Sequence, residues 1–240
     1  KNKDDKLLAN ELSSFLESND FFGIIKKNDF TAIKTHFGEK GTQGYIRPVF
    51  FQELSNILKK KECLPFLTET QTLYTGERSE AVSHIKLAYE HGFTYENTGL
   101  PIIMADGLIG DEELTVSIPG KIYQEIKLAS LIVKAQSLII ASHFTGHIAA
   151  GFGAALKNMG MGCASRRGKL DQHSIAKPSV KNKKCVKCGE CIKWCPQGAI
   201  SLGPKKAIIN DDLCIGCAEC LAVCRFDAIG FNWSVPYEEL

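Results

Sequence analysis

Apolar positions along the first 180 residues switch repeatedly between a helical and an extended period. Residues 7–16 put Leu8, Leu12, Phe15 and Leu16 on one helical face. Residues 31–37 read as a strand, followed by a loop over 38–44. Pro48 occupies the first turn of a helix, a position that suits proline, and this helix is expected to bury Phe50, Leu54, Ile57 and Leu58. Next come a short strand over 64–68, a polar loop over 70–78 and a helix over 79–91 that Gly92 stops. A third strand is expected at 101–105. Residues 113–127 form a hairpin turning at Pro119-Gly120, before a helix over 129–135 and a strand over 137–142. The β-α-β-α-β alternation predicts an α/β domain over 1–180, with a mainly parallel sheet, right-handed crossovers and flanking helices.

Composition changes this picture at one end only. The chain has 240 residues, 44% hydrophobic and 23% charged, as an ordinary globular protein has. Its most apolar stretch, 128–149, is broken by Lys134, Gln136, His143 and His147, so no membrane span is expected. No secretory leader is legible, and the expected location is cytoplasmic. A formal charge of +2 gives no reason to invoke nucleic acid. The cysteines are unevenly placed. Ten are present, and only Cys63 and Cys163 lie before residue 185.

The remaining eight form two runs. Cys185, Cys188, Cys191 and Cys195 have the spacing C-x2-C-x2-C-x3-C, and Cys214, Cys217, Cys220 and Cys224 repeat it. The repeat extends to Ala199-Ile200 and Ala228-Ile229, so it is an internal duplication. Three closely spaced thiolates can wrap three corners of one iron–sulfur cube, while the fourth reaches the neighbouring cube. One [4Fe–4S] cluster is thus expected on Cys185, Cys188, Cys191 and Cys224, and a second on Cys214, Cys217, Cys220 and Cys195. Zinc has no use for two consecutive runs of four, and nothing suggests the oxidising compartment that disulfides need. Residues 181–233 are therefore expected to be a small α+β two-cluster ferredoxin domain that depends on its metal. Two clusters of about −2 each would bring the formal charge from +2 to roughly −2. Arg225 replaces the proline of the first run, Pro196, and its charge beside Cys224 is expected to raise that cluster's potential.

In the α/β domain the polar residues gather at strand ends. Lys34-Thr35-His36, Thr68-Glu69-Thr70, Ala105-Asp106 and Ser142-His143 all fall where open parallel sheets bind ligands. Each is also what a strand meeting solvent would carry. Taken together they suggest a site for a small anionic substrate, with His36, Asp106, His143 and Lys157 as candidate catalytic groups. His36, His143 and His147 form a candidate site for an additional divalent metal. The metalloprotease pattern fails, because Phe144 stands where glutamate is required. Gly151-Phe152-Gly153 could cradle an anion, but Leu156 replaces the third glycine of a dinucleotide fingerprint. Gly162 to Gly168-Lys169 is not a Walker loop either, since Leu170 follows the lysine. Lys157, Arg166, Arg167 and Lys169 make this segment basic. Cys163 reads as a small buried thiol, with a nucleophile or ligand as the alternative, and Cys63 reads as core.

Both parts together resemble the domain-of-unknown-function-362 family joined to a two-cluster ferredoxin module. The resemblance rests on Lys34-Thr35-His36-Phe37-Gly38-Glu39, on 68–74, on Ser142-His143-Phe144-Thr145-Gly146-His147, on 151–163 and on the cysteine runs. It implies cluster binding and a redox role. It also implies a continuation beyond the cysteine module, of which 234–240 would be the start. Two functions remain in view: an electron-transfer protein serving a redox partner protein, and a redox or metal-assisted enzyme acting on a small anion. In neither is a membrane or nucleic acid a partner.

Overall fold

The computed structural model describes residues 4–73, 76–121, 123–147, 151–174, 177–214 and 219–231. The elements run α1 (Asp5–Ser18), β1 (Phe30–Thr35), α2 (Pro48–Lys60), β2 (Leu64–Thr68), α3 (Ala81–Glu90), α4 (Tyr95–Thr98), β3 (Glu113–Ser117), β4 (Glu125–Ala129), α5 (Ser130–Lys134) and β5 (Ser137–Ala141). They continue as β6 (Gly146–His147), β7 (Gly151–Phe152), α6 (Ala154–Cys163), α7 (Arg166–Ser174), β8 (Pro178–Val180), α8 (Glu190–Lys193), β9 (Ile200–Leu202), β10 (Ala207–Ile209), α9 (Glu219–Ala222) and β11 (Ile229–Phe231).

A parallel sheet in the order β2-β1-β5 forms the centre. Ile33 pairs with Leu67 on one side and Ile139 on the other, and Lys34 with Thr68 and Ile140. Apart from Phe30, all of β1 is buried, as a central strand covered on both faces must be. On one face, Ile33 and Leu67 pack with Phe51, Leu54 and Leu58 of α2 and with Phe37 and Phe93. The Phe37 and Phe93 rings meet edge-on at 5.0 Å. On the other face, Ile140 joins Ala105, Ala129, Ile132 and Cys163.

Several local expectations are corrected. Residues 101–105 run beside β2 without forming a regular strand. A single parallel bridge joins Ile102 to Leu67, and Pro101 has no N–H to extend the ladder. In α2, Leu54, Ile57 and Leu58 are buried as expected, but Phe51 is buried in place of Phe50, which is half-buried and lines a groove beside α1. In α1 only Ala9 is buried, and Leu12 and Phe15 are exposed, since this helix lies on α2 at the margin of the core. The hairpin is β3–β4, with Leu114 opposite Leu128.

The last part of the described chain is a small unit of short elements. β8 pairs antiparallel with β11, and β9 with β10. Its core gathers Val180, Ile200, Ala207 and Ile229 around Cys191 and Cys220. The β8–β11 pairing begins at Pro178, three residues before the sequence-based boundary at 181. Residues 234–240 lie outside the described residues. No described helix is long and apolar enough to cross a membrane.

Candidate functional site

Two places concentrate chemistry, the cysteine unit and a buried polar network at the carboxyl ends of the parallel strands. In the cysteine unit, Cys185, Cys188, Cys191 and Cys224 line one cavity with Val180, Ala207, Ala228 and Ile229. Three of these sulfurs come from the first run and one from the second. Cys191 is buried, and its thiol is pushed up by that burial and by the neighbouring Cys188, Cys185 and Cys224 thiols. Cys185, Cys188, Cys191, Cys195, Cys214 and Cys224 are thiols, not disulfides. Cys195 packs into the same small core as buried Cys220. Cys217 lies outside the described residues.

Backbone amides point at the sulfurs. Ala199 N–H donates to Cys195 Sγ at 3.2 Å and Ala228 N–H to Cys224 Sγ at 3.3 Å. These bonds are equivalent under the duplication. A third runs from Ala207 N–H to Cys185 Sγ at 3.4 Å. Amide donors stabilise thiolate over thiol, which is what metal ligation requires. Apolar walls, sulfurs from both runs and amides aimed at sulfur fit a thiolate-held cluster, which Cys185, Cys188, Cys191 and Cys224 could hold. No group of three or more His, Cys, Asp or Glu among the described residues closes on a single metal ion. Each thiolate of a cube meets a different iron, so its ligands stand further apart than those of one ion.

The second place centres on Glu69. It is nearly inaccessible, as is Lys34, with which it forms an ion pair. Glu69 Oε2 also lies 3.2 Å from the Arg78 guanidinium and 3.4 Å from His36 Nδ1. Burial alone would raise the carboxyl, but Lys34, the His36 hydrogen bond and Arg78 outweigh it and hold Glu69 well below the usual carboxylate range. Lys34 donates to Asn158 Oδ1 at 2.6 Å, while Asn158 Nδ2 donates to Ala141 O and Ser142 Oγ. Asn158 of α6 thereby ties β1 to the end of β5.

Arg78 Nε donates to His84 Nε2 at 3.3 Å. The ring proton must then sit on Nδ1, which faces Gln71 Oε1 at 2.9 Å. Burial pushes His84 down to about 3, so it is neutral. Gln71 N–H donates to Asp106 Oδ2 at 2.9 Å. Asp106 is fully buried, and its Oδ1 has no hydrogen-bond partner. Burial pushes its carboxyl up to about 6 against the pull of Lys169. Lys169 is itself lowered to about 8 by burial and donates to Thr70 Oγ1 and Ala164 O.

The strand-end candidates therefore divide. His36 and Asp106 join this network. Lys157 is half-buried on α6, with Met161 Sδ 3.4 Å from its Nζ, and burial lowers its pKa. His143 is exposed and lines the apolar groove between α1 and α2. The side chain of His147 lies outside the described residues. Cys163 is buried and its thiol is raised by burial, and buried Cys63 donates to Leu58 O. The sequence marks Lys34, Glu69 and Lys169 only as strand-end or basic residues without a catalytic role, and does not single out Arg78 or His84. Lys34 left the clearest signal, a cation directly after the apolar Ala32-Ile33 of a strand.

A family model described as Domain of unknown function (DUF362) matches residues 31–221. The chain belongs to the DUF362 family. The matched span runs from β1 through the buried network into the second cysteine run, ending between Cys220 and Cys224. A comparison with curated proteins finds no significant match.

Proposed function

We propose that this DUF362 protein is an iron–sulfur redox protein. Residues 181–233 form a two-cluster ferredoxin module, fused to the α/β domain, that passes single electrons to or from that domain or a partner protein. The observation that carries the reading is the cavity shared by Cys185, Cys188, Cys191 and Cys224. A thiol framework with no ligand to hold would have no reason to send Cys224 into the first run's cavity. A bound [4Fe–4S] cluster supplies reversible one-electron chemistry, at a potential set by hydrogen bonds to sulfur, charge and exposure. The Ala199, Ala207 and Ala228 amides supply those hydrogen bonds. The exposed Cys188 side supplies the short path to the surface.

Anaerobic purification with iron and sulfide analysis, followed by a redox titration monitored by electron paramagnetic resonance, tests the reading. About eight irons per chain and reversible one-electron signals are expected. Four irons or fewer, or centres that resist reduction throughout, would refute it.

A second reading rests on the orphaned Asp106 Oδ1. Here the α/β domain is an enzyme for a small anion bound beside the buried network that His36 and Asp106 join, while His143, exposed in the groove between α1 and α2, and Lys157 on α6 stand apart from that network. An additional divalent metal on His36, His143 and His147 belongs to this reading, and elemental analysis of the purified protein tests it. Thermal stabilisation by small carboxylates or phosphate, lost in Asp106→Asn, would favour the enzyme.

A further inference from the structure

The two cysteine runs repeat each other in ligand spacing and oppose each other in charge. Residues 177–206 contain eight lysines and a single acid, Glu190, whereas 207–231 contain one base, Arg225, and four acids. Under the duplication, Lys183, Lys184, Lys187 and Lys193 correspond to Asp212, Leu213, Gly216 and Ala222. Wrapping a cluster thus does not require the lysines.

Backbone conformation makes the same point at two positions. Lys187 has φ 59°, a left-handed conformation that favours glycine, and glycine is its counterpart at 216. Asp227 has φ 50° and corresponds to Gly198. A lysine held there costs on the order of 1 kcal/mol of backbone strain. The Lys187 Nζ donates to Pro204 O at 3.1 Å, which holds the exposed charge beside the cavity.

These charges surround one opening. Lys187 lines the cavity of Cys185, Cys188, Cys191 and Cys224. Lys193 pairs with Glu190 and is close enough to Cys188 to feel its charge. Arg225 also acts on Glu190, while Lys184 and Lys181 act on Asp227. Lys187 and Glu190 line the cavity itself, and the other four cations are grouped around Glu190 and around Asp227, which lies between the lining residues Phe226 and Ala228. Cys188 is exposed at this mouth, flanked by Val186 at 56% and Phe226 at 46% exposure. A small apolar centre with a charged rim is the anatomy of a transient interface, where charge governs the rate of encounter.

We propose that this lysine-rimmed mouth is the docking face for an acidic single-electron carrier protein. The proposal rests on the iron–sulfur reading above. In the exchange one electron leaves one centre and enters the other, with no bond made and no proton moved.

The test uses the reduced, cluster-loaded protein and an oxidised acidic blue-copper protein as probe. Bleaching of the copper colour is followed by stopped flow, and binding by amide shifts of the labelled probe. The second-order rate should fall steeply with added salt. It should also fall at least tenfold in Lys187→Glu/Lys193→Glu, and the shifts on the acidic face of the probe should vanish. Lys86→Glu, the same kind of charge change on distant α3, should stay within twofold. Equal rates in the double variant and Lys86→Glu, or rates indifferent to salt, overturn the docking face. Iron content and reducibility are measured on the same samples, so failure of the clusters themselves is seen separately.

Discussion

Lys34 and Glu69 form an ion pair with side chains only 1% and 4% exposed, one on β1 and the other just past the end of β2. Glu69 also neutralises Arg78 and holds His36. Removing a single partner from such a pair leaves a buried charge uncompensated, which costs roughly 3–5 kcal/mol. Glu69→Gln should lose about that much in denaturant unfolding. Glu62→Gln, which breaks the exposed Lys27–Glu62 pair, should lose less than about 1 kcal/mol. Similar losses in both variants would mean that the buried pair is not a structural anchor.

Asp106 works in the opposite sense. Its folded-state carboxyl stands near 6, above the ordinary 3.8, so folding favours the protonated form. The resulting stability is whole below about pH 4 and is lost as pH rises through 6, a span worth at most ~3 kcal/mol. Asp106→Asn keeps an acceptor for Gln71 N–H and removes the buried charge. Its stability relative to the parent should be near zero at pH 4 and positive above pH 6, in thermal unfolding across that range. A variant weaker than the parent at pH 7 would show that Lys169 compensates Asp106 fully.

The sheet was legible because β1, β2 and β5 are short segments built around apolar pairs or triplets, and their ends lie within two residues of the expected ones. Residues 101–105 misled because apolar content cannot show whether a segment completes a ladder or, as here, forms one bridge at Ile102 with a few flanking hydrogen bonds. Periodicity located α2 and three of its four buried residues, Leu54, Ile57 and Leu58, but two adjacent phenylalanines in its first turn left open which of Phe50 and Phe51 enters the core. The strand ends were correctly singled out as polar, yet the centre of the network is Glu69, a residue whose role depends on Lys34, Arg78 and His36 meeting from separate segments. His143, equally suggestive in sequence, ends up facing solvent. The duplication of the cysteine runs was legible, since residue spacing is a local property of the sequence.

Gly168 illustrates a glycine with a packing role, in a segment that looks like a phosphate loop. A Cβ there would lie 2.1 Å from the Lys127 carbonyl oxygen, so α7 and β4 meet backbone to backbone. Gly168→Ala must push these elements apart and should cost about 1–3 kcal/mol. Gly44, whose Cβ would meet nothing within 4 Å, is the contrast, and Gly44→Ala should stay within about 0.5 kcal/mol of the parent. Equal melting temperatures for the two variants would mean that α7 is not seated on β4.

Crossed ligation makes the sharpest prediction for the cysteines, because paired substitutions separate it from local ligation. If Cys224 completes the site of the first run, Cys188→Ser and Cys224→Ser strike the same cluster. The double variant should then retain about four irons per chain, as each single variant does. Cys220→Ser with Cys224→Ser strikes both clusters and should retain almost none. Local ligation reverses the two doubles, since Cys220 and Cys224 would then share a site. Iron and sulfide counts on anaerobically prepared protein distinguish the outcomes without any activity measurement. The position of Cys224 beside Cys185, Cys188 and Cys191 favours the crossed arrangement. Near-complete iron loss in Cys188→Ser/Cys224→Ser, with half retained in Cys220→Ser/Cys224→Ser, would reject it.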